Sequence, residues 1–225
     1  MTAQTAAPLP ASTGSIVSAI SRVVLGKEHE VRLVVTSLLA GGHVLLEDAP
    51  GTGKTSLARA LAAALAGTHS RVQFTPDLLP SDVSGVTVYD QAHGTFSFHP
   101  GPVFASIVLA DEINRASPKT QSALLEVMEE GRVTVDGTSH PVPHPFMVIA
   151  TQNPIEQAGT YRLPEAQLDR FLMKLSLGYP STEAALEILA GTAQRDRTAM
   201  VNPVMTMPEV HALQDAAATV YTDPS

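Results

Sequence analysis

Two short stretches carry residue types that can do phosphate chemistry. The first reads APGTGKTS and places two glycines just before a lysine and a threonine. Glycine has no Cβ, so a tight turn can point its N–H groups at a polyphosphate, beside the positive end of the following helix. The lysine can reach the β and γ phosphates, and the threonine hydroxyl is placed to bind Mg²⁺. We predict a phosphate-binding loop made by Ala49, Pro50, Gly51, Thr52, Gly53, Lys54, Thr55 and Ser56.

The phosphate loop departs from the general pattern GxxxxGK[ST] at one position. Asp48 stands where that pattern has glycine. We therefore expect the entry turn to be made by a residue that tolerates unusual backbone angles less readily. A glycine-rich loop before a helix need not bind anything, but the lysine and threonine favour nucleotide binding over that alternative.

The second stretch is an acidic pair at the end of an apolar run. Four consecutive apolar residues, Ile107–Ala110, precede Asp111 and Glu112. Such a run suits a buried parallel strand, and ligands bind at the carboxyl ends of these strands in open α/β sheets. Asp111 would hold Mg²⁺ directly or through water, and Glu112 would polarise the attacking water. An acidic pair alone is weak support, but its position downstream of a phosphate loop predicts a catalytic role.

Two further polar residues have alternative interpretations. Asn153 follows the apolar run 146–150, where an amide can hydrogen-bond the attacking water or a γ-phosphate. It can equally start a turn before Pro154, and spacing does not decide between the two. Arg170 lies near the end of a short helix that starts at Leu163, and its position alone favours a solvated cation.

The apolar pattern predicts strands and helices that position these residues. The predicted strands are 44–46, 71–74, 107–110, 146–150 and 174–177. The predicted helices are 15–25, 28–40, 54–66, 119–130, 163–171, 182–194 and one that starts at a capping box of Thr206 and Glu209. Two hairpins are predicted at 86–99 and 132–142, and the first could be a surface insertion or a loop that grips a partner or substrate.

Bulk composition limits the possible functions of the chain. It has 225 residues, no cysteine and a net charge of −8, which argues against a nucleic-acid-binding protein. Without cysteine there is no disulfide or thiolate metal site, and we expect a cytoplasmic protein. The sequence has no apolar run long enough to predict a membrane span. The first fourteen residues have no pattern of a secretory signal and predict a disordered tail.

The order of these motifs resembles that in the AAA+ ATPases. The amino-acid sequences of the motifs are similar to those of the MoxR family. The stretches that carry this resemblance are LLEDAPGTGKT, QFTPDLLPSDVSG, VYDQAHGTFSFHPGPVF, LADEINRASPKTQSALLEVMEEGRVTVDG and IATQNPIEQAGTYRLPEAQLDRFL. The resemblance implies a P-loop NTPase fold of class α/β, a three-layer αβα sandwich with a parallel central sheet. The hairpins would be its helix-2 insert and pre-sensor-1 hairpin.

The resemblance also assigns roles to residues. Lys54 and Thr55 would be the Walker A pair, Asp111 and Glu112 the Walker B pair, and Asn153 sensor 1. Arg170 would be an arginine finger that reaches the ATP of a neighbouring subunit. Residues 15–205 would form the ATPase core, and 206–225 the start of a C-terminal helical lid whose remainder is missing. Arg162 stands where the family pattern has proline.

The resemblance implies ATP and Mg²⁺ as cofactors, and a homo-oligomeric ring that is hexameric in the full-length protein. The expected function is chaperone-like remodelling in the maturation, or cofactor or metal insertion, of client enzymes, with a von Willebrand factor A domain partner. Two alternatives are a nucleotide-gated scaffold with little turnover and a DNA-directed motor. The intact Glu112 counts against the scaffold, and the absence of Lys and Arg from 133–145 counts against the motor.

Overall fold

Five parallel strands form the central sheet in the computed structural model, which describes residues 12–153, 159–190 and 197–220. The strands are β1 (Val44–Glu47), β2 (His69–Gln73), β5 (Ile107–Asp111), β8 (Met147–Gln152) and β9 (Met173–Leu175). Their order across the sheet is β2-β5-β8-β1-β9, and every neighbouring pair is parallel. The phosphate loop follows β1, and the acidic pair stands at the carboxyl end of β5, so both lie at the same edge of the sheet.

Alternating side chains of the sheet enter two separate cores, one on each face. One core takes Val44, Leu46, Ile107, Leu109, Met147 and Ile149. The other takes Leu45, Val108, Ala110, Val148 and Ala150. The strands β1, β5 and β8 are buried on both faces, which explains why they are apolar runs, whereas the edge strands β2 and β9 are more exposed. The predicted three-layer αβα sandwich is confirmed.

Helices cover both faces of the sheet. The helices are α1 (Ser12–Ser21), α2 (Glu28–Leu39), α3 (Lys54–Ala64), α4 (Pro80–Ser84), α5 (Pro118–Glu130), α6 (Glu165–Leu168), α7 (Thr182–Ala190) and α8 (Met207–Ala218). Buried residues of α1, α2, α3 and α8 belong to the first core, whereas those of α4 and α5 belong to the second. Short 3₁₀ turns occur at Pro102–Phe104, Ile113–Arg115 and Arg197–Met200.

The two predicted hairpins form and contact each other. The first pairs β3 (Gly85–Asp90) with β4 (Thr95–Pro100), and the second pairs β6 (Arg132–Val135) with β7 (Thr138–Pro141). The ring of Phe98 stacks on the imidazole of His140 with centroids 4.0 Å apart. The hairpins are therefore one surface feature, although each is a separate two-stranded sheet.

Several boundaries differ from the sequence prediction. The first helix starts at Ser12, within the predicted disordered tail, and residues 1–11 of that tail lie outside the described residues. The predicted helix 163–171 is a single short helix, α6, because Pro164 caps it and the chain turns again at Asp169. The end of the predicted helix 182–194 and the turn at Pro154 also fall outside the described residues.

The capping box at Thr206 is confirmed. The Thr206 N–H and hydroxyl both donate to the Glu209 carboxylate, which lowers the pKa of Glu209. The helix that follows, α8, contacts the core, because Val210 and Leu213 are buried and Gln214 donates to the Leu38 carbonyl. The first residues assigned to a lid thus pack on the first core; residues 221–225 of that segment lie outside the described residues.

Candidate active site

The phosphate loop joins β1 to the first residue of α3, Lys54. Gly51 and Gly53 have φ values of +86° and +92°, in the left-handed region that favours glycine. A Cβ built on either glycine meets nothing within 4 Å, so the requirement for glycine is conformational and not steric. The Lys54 Nζ donates to the carbonyls of Asp48 at 3.0 Å and Ala49 at 3.2 Å. The lysine ammonium therefore lies over the turn.

The expectation for Asp48 is wrong, because this residue does not make an unusual turn and has no positive φ. Its buried carboxylate accepts hydrogen bonds from the Ser176 hydroxyl at 2.8 Å, the Leu177 N–H at 2.6 Å and the Gly178 N–H at 2.9 Å. Asp48 thus ties the start of the phosphate loop to the segment that follows the edge strand β9. The start of the loop is therefore anchored by long-range hydrogen bonds to the Asp48 carboxylate, and it does not need the conformational freedom of glycine.

A cleft of ≈ 400 Å³ opens at the carboxyl ends of β2 and β5, beside the phosphate loop. Eight of the residues predicted to do phosphate chemistry line it, including Lys54, Thr55, Asp111 and Glu112. The described residues that line it are Pro50, Gly51, Gly53, Lys54, Thr55, Ser56, Arg71, Gln73, Asp111 and Glu112. The structure therefore brings the two chemical stretches of the sequence into one cleft, and it adds two residues of β2.

Both oxygens of the Asp111 carboxylate have donors. The Thr151 hydroxyl donates to Oδ1 at 2.7 Å, and the Arg71 guanidinium donates to Oδ2 from Nη2 at 2.6 Å and from Nε at 3.2 Å. Thr151 also accepts from the Glu112 N–H at 2.9 Å, so one hydroxyl connects β8 to both members of the acidic pair. Asp111 is held in one orientation from two neighbouring strands.

Glu112 has a left-handed backbone, with φ +56° and ψ +49°. A non-glycine residue in this region is strained by about 1–2 kcal/mol, and such strain is characteristic of functional sites. Its Oε2 accepts from Gln73 Nε2 at 2.8 Å and from Arg115 Nη1 at 2.9 Å. The carboxylate is therefore positioned by two side chains at the mouth of the cleft.

A buried amide supports the turn that follows Glu112. Gln121 Nε2 lies 3.0–3.2 Å from the carbonyls of Ile113, Ala116 and Tyr161, and its side chain is fully enclosed. The Tyr161 N–H in turn donates to the Asn114 carbonyl at 2.6 Å. Gln121 thus links the turn after the acidic pair to the segment before α6.

The oxygen donors at this site fit a hard divalent cation. The cleft offers the Thr55 hydroxyl and the Asp111 carboxylate, and Mg²⁺ prefers oxygen ligands. Within the described ranges no group of three or more His, Cys, Asp or Glu could hold a metal ion. Few protein ligands are what Mg²⁺ needs when substrate phosphates supply the remaining oxygens.

Asn153 and Arg170 lie outside this cleft. Asn153 is buried at the carboxyl end of β8, and the cleft lining does not include it. Arg170 donates to the Glu129 carboxylate at 2.6 Å and 3.0 Å and to the Ala166 carbonyl. Arg170 therefore neither lines this cleft nor bonds to a residue that does.

Sequence reasoning missed Arg71, Gln73 and Thr151. The first two alternate along β2 around the buried Val72, a period-2 pattern that places both on one face. The alternation can be seen in the sequence. The partners of Arg71 and Gln73, which are Asp111 and Glu112, depend on strand order, and the sequence does not reveal that order. Thr151 directly follows the apolar run 146–150, and its hydroxyl is the bridge described above.

Comparison with known proteins identifies the family of this chain. The sequence model of the ATPase family associated with various cellular activities (AAA) matches residues 43–173. The uncharacterized protein YeaC of Bacillus subtilis is 52% identical over 212 residues, which make up 94% of this chain and 66% of YeaC. Chaperone MoxR1 of Mycobacterium tuberculosis is 51% identical over 170 residues, 76% of this chain and 45% of MoxR1.

A solved structure from Cytophaga hutchinsonii, described provisionally as an ATPase, matches with a TM-score of 0.85 and 40% identity. The match covers 95% of this chain and 64% of that one. The chain belongs to the AAA+ ATPases of MoxR type. It spans about half to two thirds of the length of the curated relatives it matches. Among the helices that the structure describes, none combines the length and the hydrophobicity of a membrane-spanning segment.

Proposed function

We propose that this chain binds and hydrolyses ATP in the cleft between the phosphate loop and β5. The observation that carries the proposal is the convergence of Lys54, Thr55, Asp111 and Glu112 on one cleft. These residues supply a phosphate-binding cation, a hydroxyl and two carboxylates, the groups that phosphoryl transfer requires. Residues 15–205 are the proposed catalytic core, and 206–225 the proposed start of a lid.

The proposed mechanism assigns one task to each group. The loop from Ala49 to Ser56 holds the polyphosphate through its N–H groups, and Lys54 binds the terminal phosphates. Thr55 and Asp111 would hold Mg²⁺, which when bound neutralises charge on the β and γ phosphates. Glu112 accepts a hydrogen bond from the attacking water and polarises it. Gln73 and Arg115 keep the Glu112 carboxylate oriented.

Assembly completes the proposed site. Arg170 is the proposed arginine finger, acting on the nucleotide of a neighbouring subunit, and a role in trans is supported because Arg170 does not line its own cleft and pairs with Glu129 instead. It must leave Glu129 to do so, and this ion pair is partly exposed. Asn153 is the proposed sensor 1. We further propose a ring, hexameric in the full-length protein, located in the cytoplasm.

The proposed output is remodelling of client proteins, in line with the name of the relative Chaperone MoxR1. Client maturation, including cofactor or metal insertion, and a von Willebrand factor A domain partner belong to the same proposal. We place the contact with an apolar client segment on the paired hairpins. The first hairpin exposes Val86, Val88, Tyr89 and Phe96, the last of them to 74%.

Charge separates this proposal from a DNA-directed motor. The two hairpins together contain one basic residue other than histidine, Arg132, and the chain carries a net charge of −8. Binding to DNA phosphates requires several Lys or Arg contacts. A nucleotide-gated scaffold with little turnover would not need a residue that polarises water. The strained backbone of Glu112 therefore favours hydrolysis over the scaffold.

The decisive experiment measures ATP turnover and nucleotide binding of Glu112→Gln against protein concentration. We expect unchanged binding and turnover lowered by about 10²–10⁴-fold, because the amide cannot polarise water as the carboxylate does. Glu126→Gln is the matched control, since Glu126 is exposed on α5 away from the cleft lining. Undiminished turnover by Glu112→Gln would refute the catalytic assignment, and absence of nucleotide binding in the wild type would refute the proposed function.

A further inference from the structure

Asp111, whose carboxylate is proposed to bind the metal, is already paired with the guanidinium of Arg71. Arg71 directs two nitrogens at Oδ2 of Asp111, with Nη2 at 2.6 Å and Nε at 3.2 Å. Oδ1 accepts from the Thr151 hydroxyl at 2.7 Å. A divalent cation that binds Oδ2 must therefore share or take the position of the guanidinium, since charge repulsion disfavours two cations at one oxygen.

The two members of this ion pair differ in freedom. The Arg71 side chain is 48% exposed, whereas that of Asp111 is 12% exposed and is also held by Thr151. Arg71 has a second partner at the cleft, because its Nη2 donates to Gln73 Oε1 at 3.0 Å. The carboxylate is thus the fixed member, and the guanidinium is the member that can move without opening the core.

We propose that Arg71 competes with the divalent cation for Asp111 and so sets the Mg²⁺ concentration at which the nucleotide–metal complex binds. The inference rests on the proposed function, because it assigns the metal to Asp111. The inference adds Arg71 of β2 as a positioning residue that tunes the affinity of the site for the metal. Binding of the metal then replaces the guanidinium by the divalent cation at Oδ2 of Asp111. The site then admits a divalent cation only when that cation outcompetes the guanidinium.

The test is binding of a fluorescent ADP analogue to the full chain at increasing Mg²⁺, starting from excess chelator. The readout is the Mg²⁺ concentration at half-maximal gain in affinity, which does not require turnover. For Arg71→Gln we expect this midpoint to fall about fivefold, equivalent to ~1 kcal/mol for loss of a partly exposed ion pair. Arg71→Lys keeps a cation and should stay within about twofold of the wild type.

Arg59→Gln is the matched control, because it removes one positive charge from the exposed surface of α3 outside the cleft lining. Its midpoint should equal that of the wild type. An unchanged or higher midpoint in a folded Arg71→Gln would overturn the inference, as would weaker ADP binding at saturating Mg²⁺, which would make Arg71 a nucleotide contact. A wild type that binds no nucleotide with Mg²⁺ would instead overturn the proposed function itself.

Discussion

Replacing Asp48 by glycine brings the chain closer to the general phosphate-loop pattern, yet the structure predicts that it damages the protein. The buried carboxylate accepts three hydrogen bonds from residues 176–178. A hydrogen bond to a charged group contributes about 1.5–3 kcal/mol, and bonds that share one group are not additive. We expect Asp48→Gly to lower the free energy of unfolding by about 3 kcal/mol.

Urea unfolding followed by far-UV circular dichroism measures this loss, since the chain has no tryptophan for fluorescence. For a chain of this size, 3 kcal/mol corresponds to a melting temperature lower by about 6–12 °C. Asp48→Asn should fall between wild type and glycine variant, because its amide retains one acceptor but turns a donor toward N–H groups.

The matched control is Asp136→Gly in the turn between β6 and β7. Asp136 is exposed and has φ +49°, so glycine fits its backbone better and its carboxylate is not buried. We expect a change within about 0.5 kcal/mol there. If Asp48→Gly also stays within about 1 kcal/mol of the wild type, the anchor described for Asp48 contributes little and the reasoning is refuted.

Three further predictions test other parts of the structure. Gly53→Ala should destabilise the fold by about 1–2 kcal/mol through its left-handed backbone alone, whereas Gly14→Ala in α1 should stabilise it; equal effects in urea unfolding would contradict this. Burial lowers the pKa of His43 and His69 below 6.5, so between those folded values and 6.5 the unfolded chain binds more protons. Unfolding free energy should therefore fall as pH drops below 6.5, by up to about 1.4 kcal/mol per pH unit for the buried His43 and by less for the half-buried His69, and His43→Gln should flatten the slope. Arg170→Ala should slow turnover by about 10³-fold only where subunits assemble, and mixing it with Lys54→Ala should restore part of the activity; a mixture that stays inactive would exclude action in trans.

The central strands and the phosphate loop were predictable because their signals are local. A strand buried on both faces is a continuous apolar run, and Ile107–Ala110 shows this directly. The loop needs only glycines, a lysine and a hydroxyl in consecutive positions. These features depend on neighbouring residues, so a pattern along the chain is sufficient to detect them.

The contacts that hold the site together were not predictable, because they join distant residues. Arg71 meets Asp111 across 40 positions, and Asp48 meets Leu177 across 129. Each contact depends on which strands are neighbours, and many sheet orders fit the same set of apolar runs. The apolar pattern likewise predicted a helix over 163–171, whereas the structure has one turn at Glu165–Leu168. Apolar spacing does not show where a helix ends.

The left-handed backbone of Glu112 implies a conflict between activity and stability at one residue. The turn after β5 favours glycine or asparagine there, yet the proposed chemistry demands a carboxylate. Selection for hydrolysis would keep a residue that selection for folding alone would replace. A Glu112→Gly variant should therefore lose turnover while keeping a melting temperature close to that of the wild type, because the relieved backbone strain offsets the lost hydrogen bonds from Gln73 and Arg115.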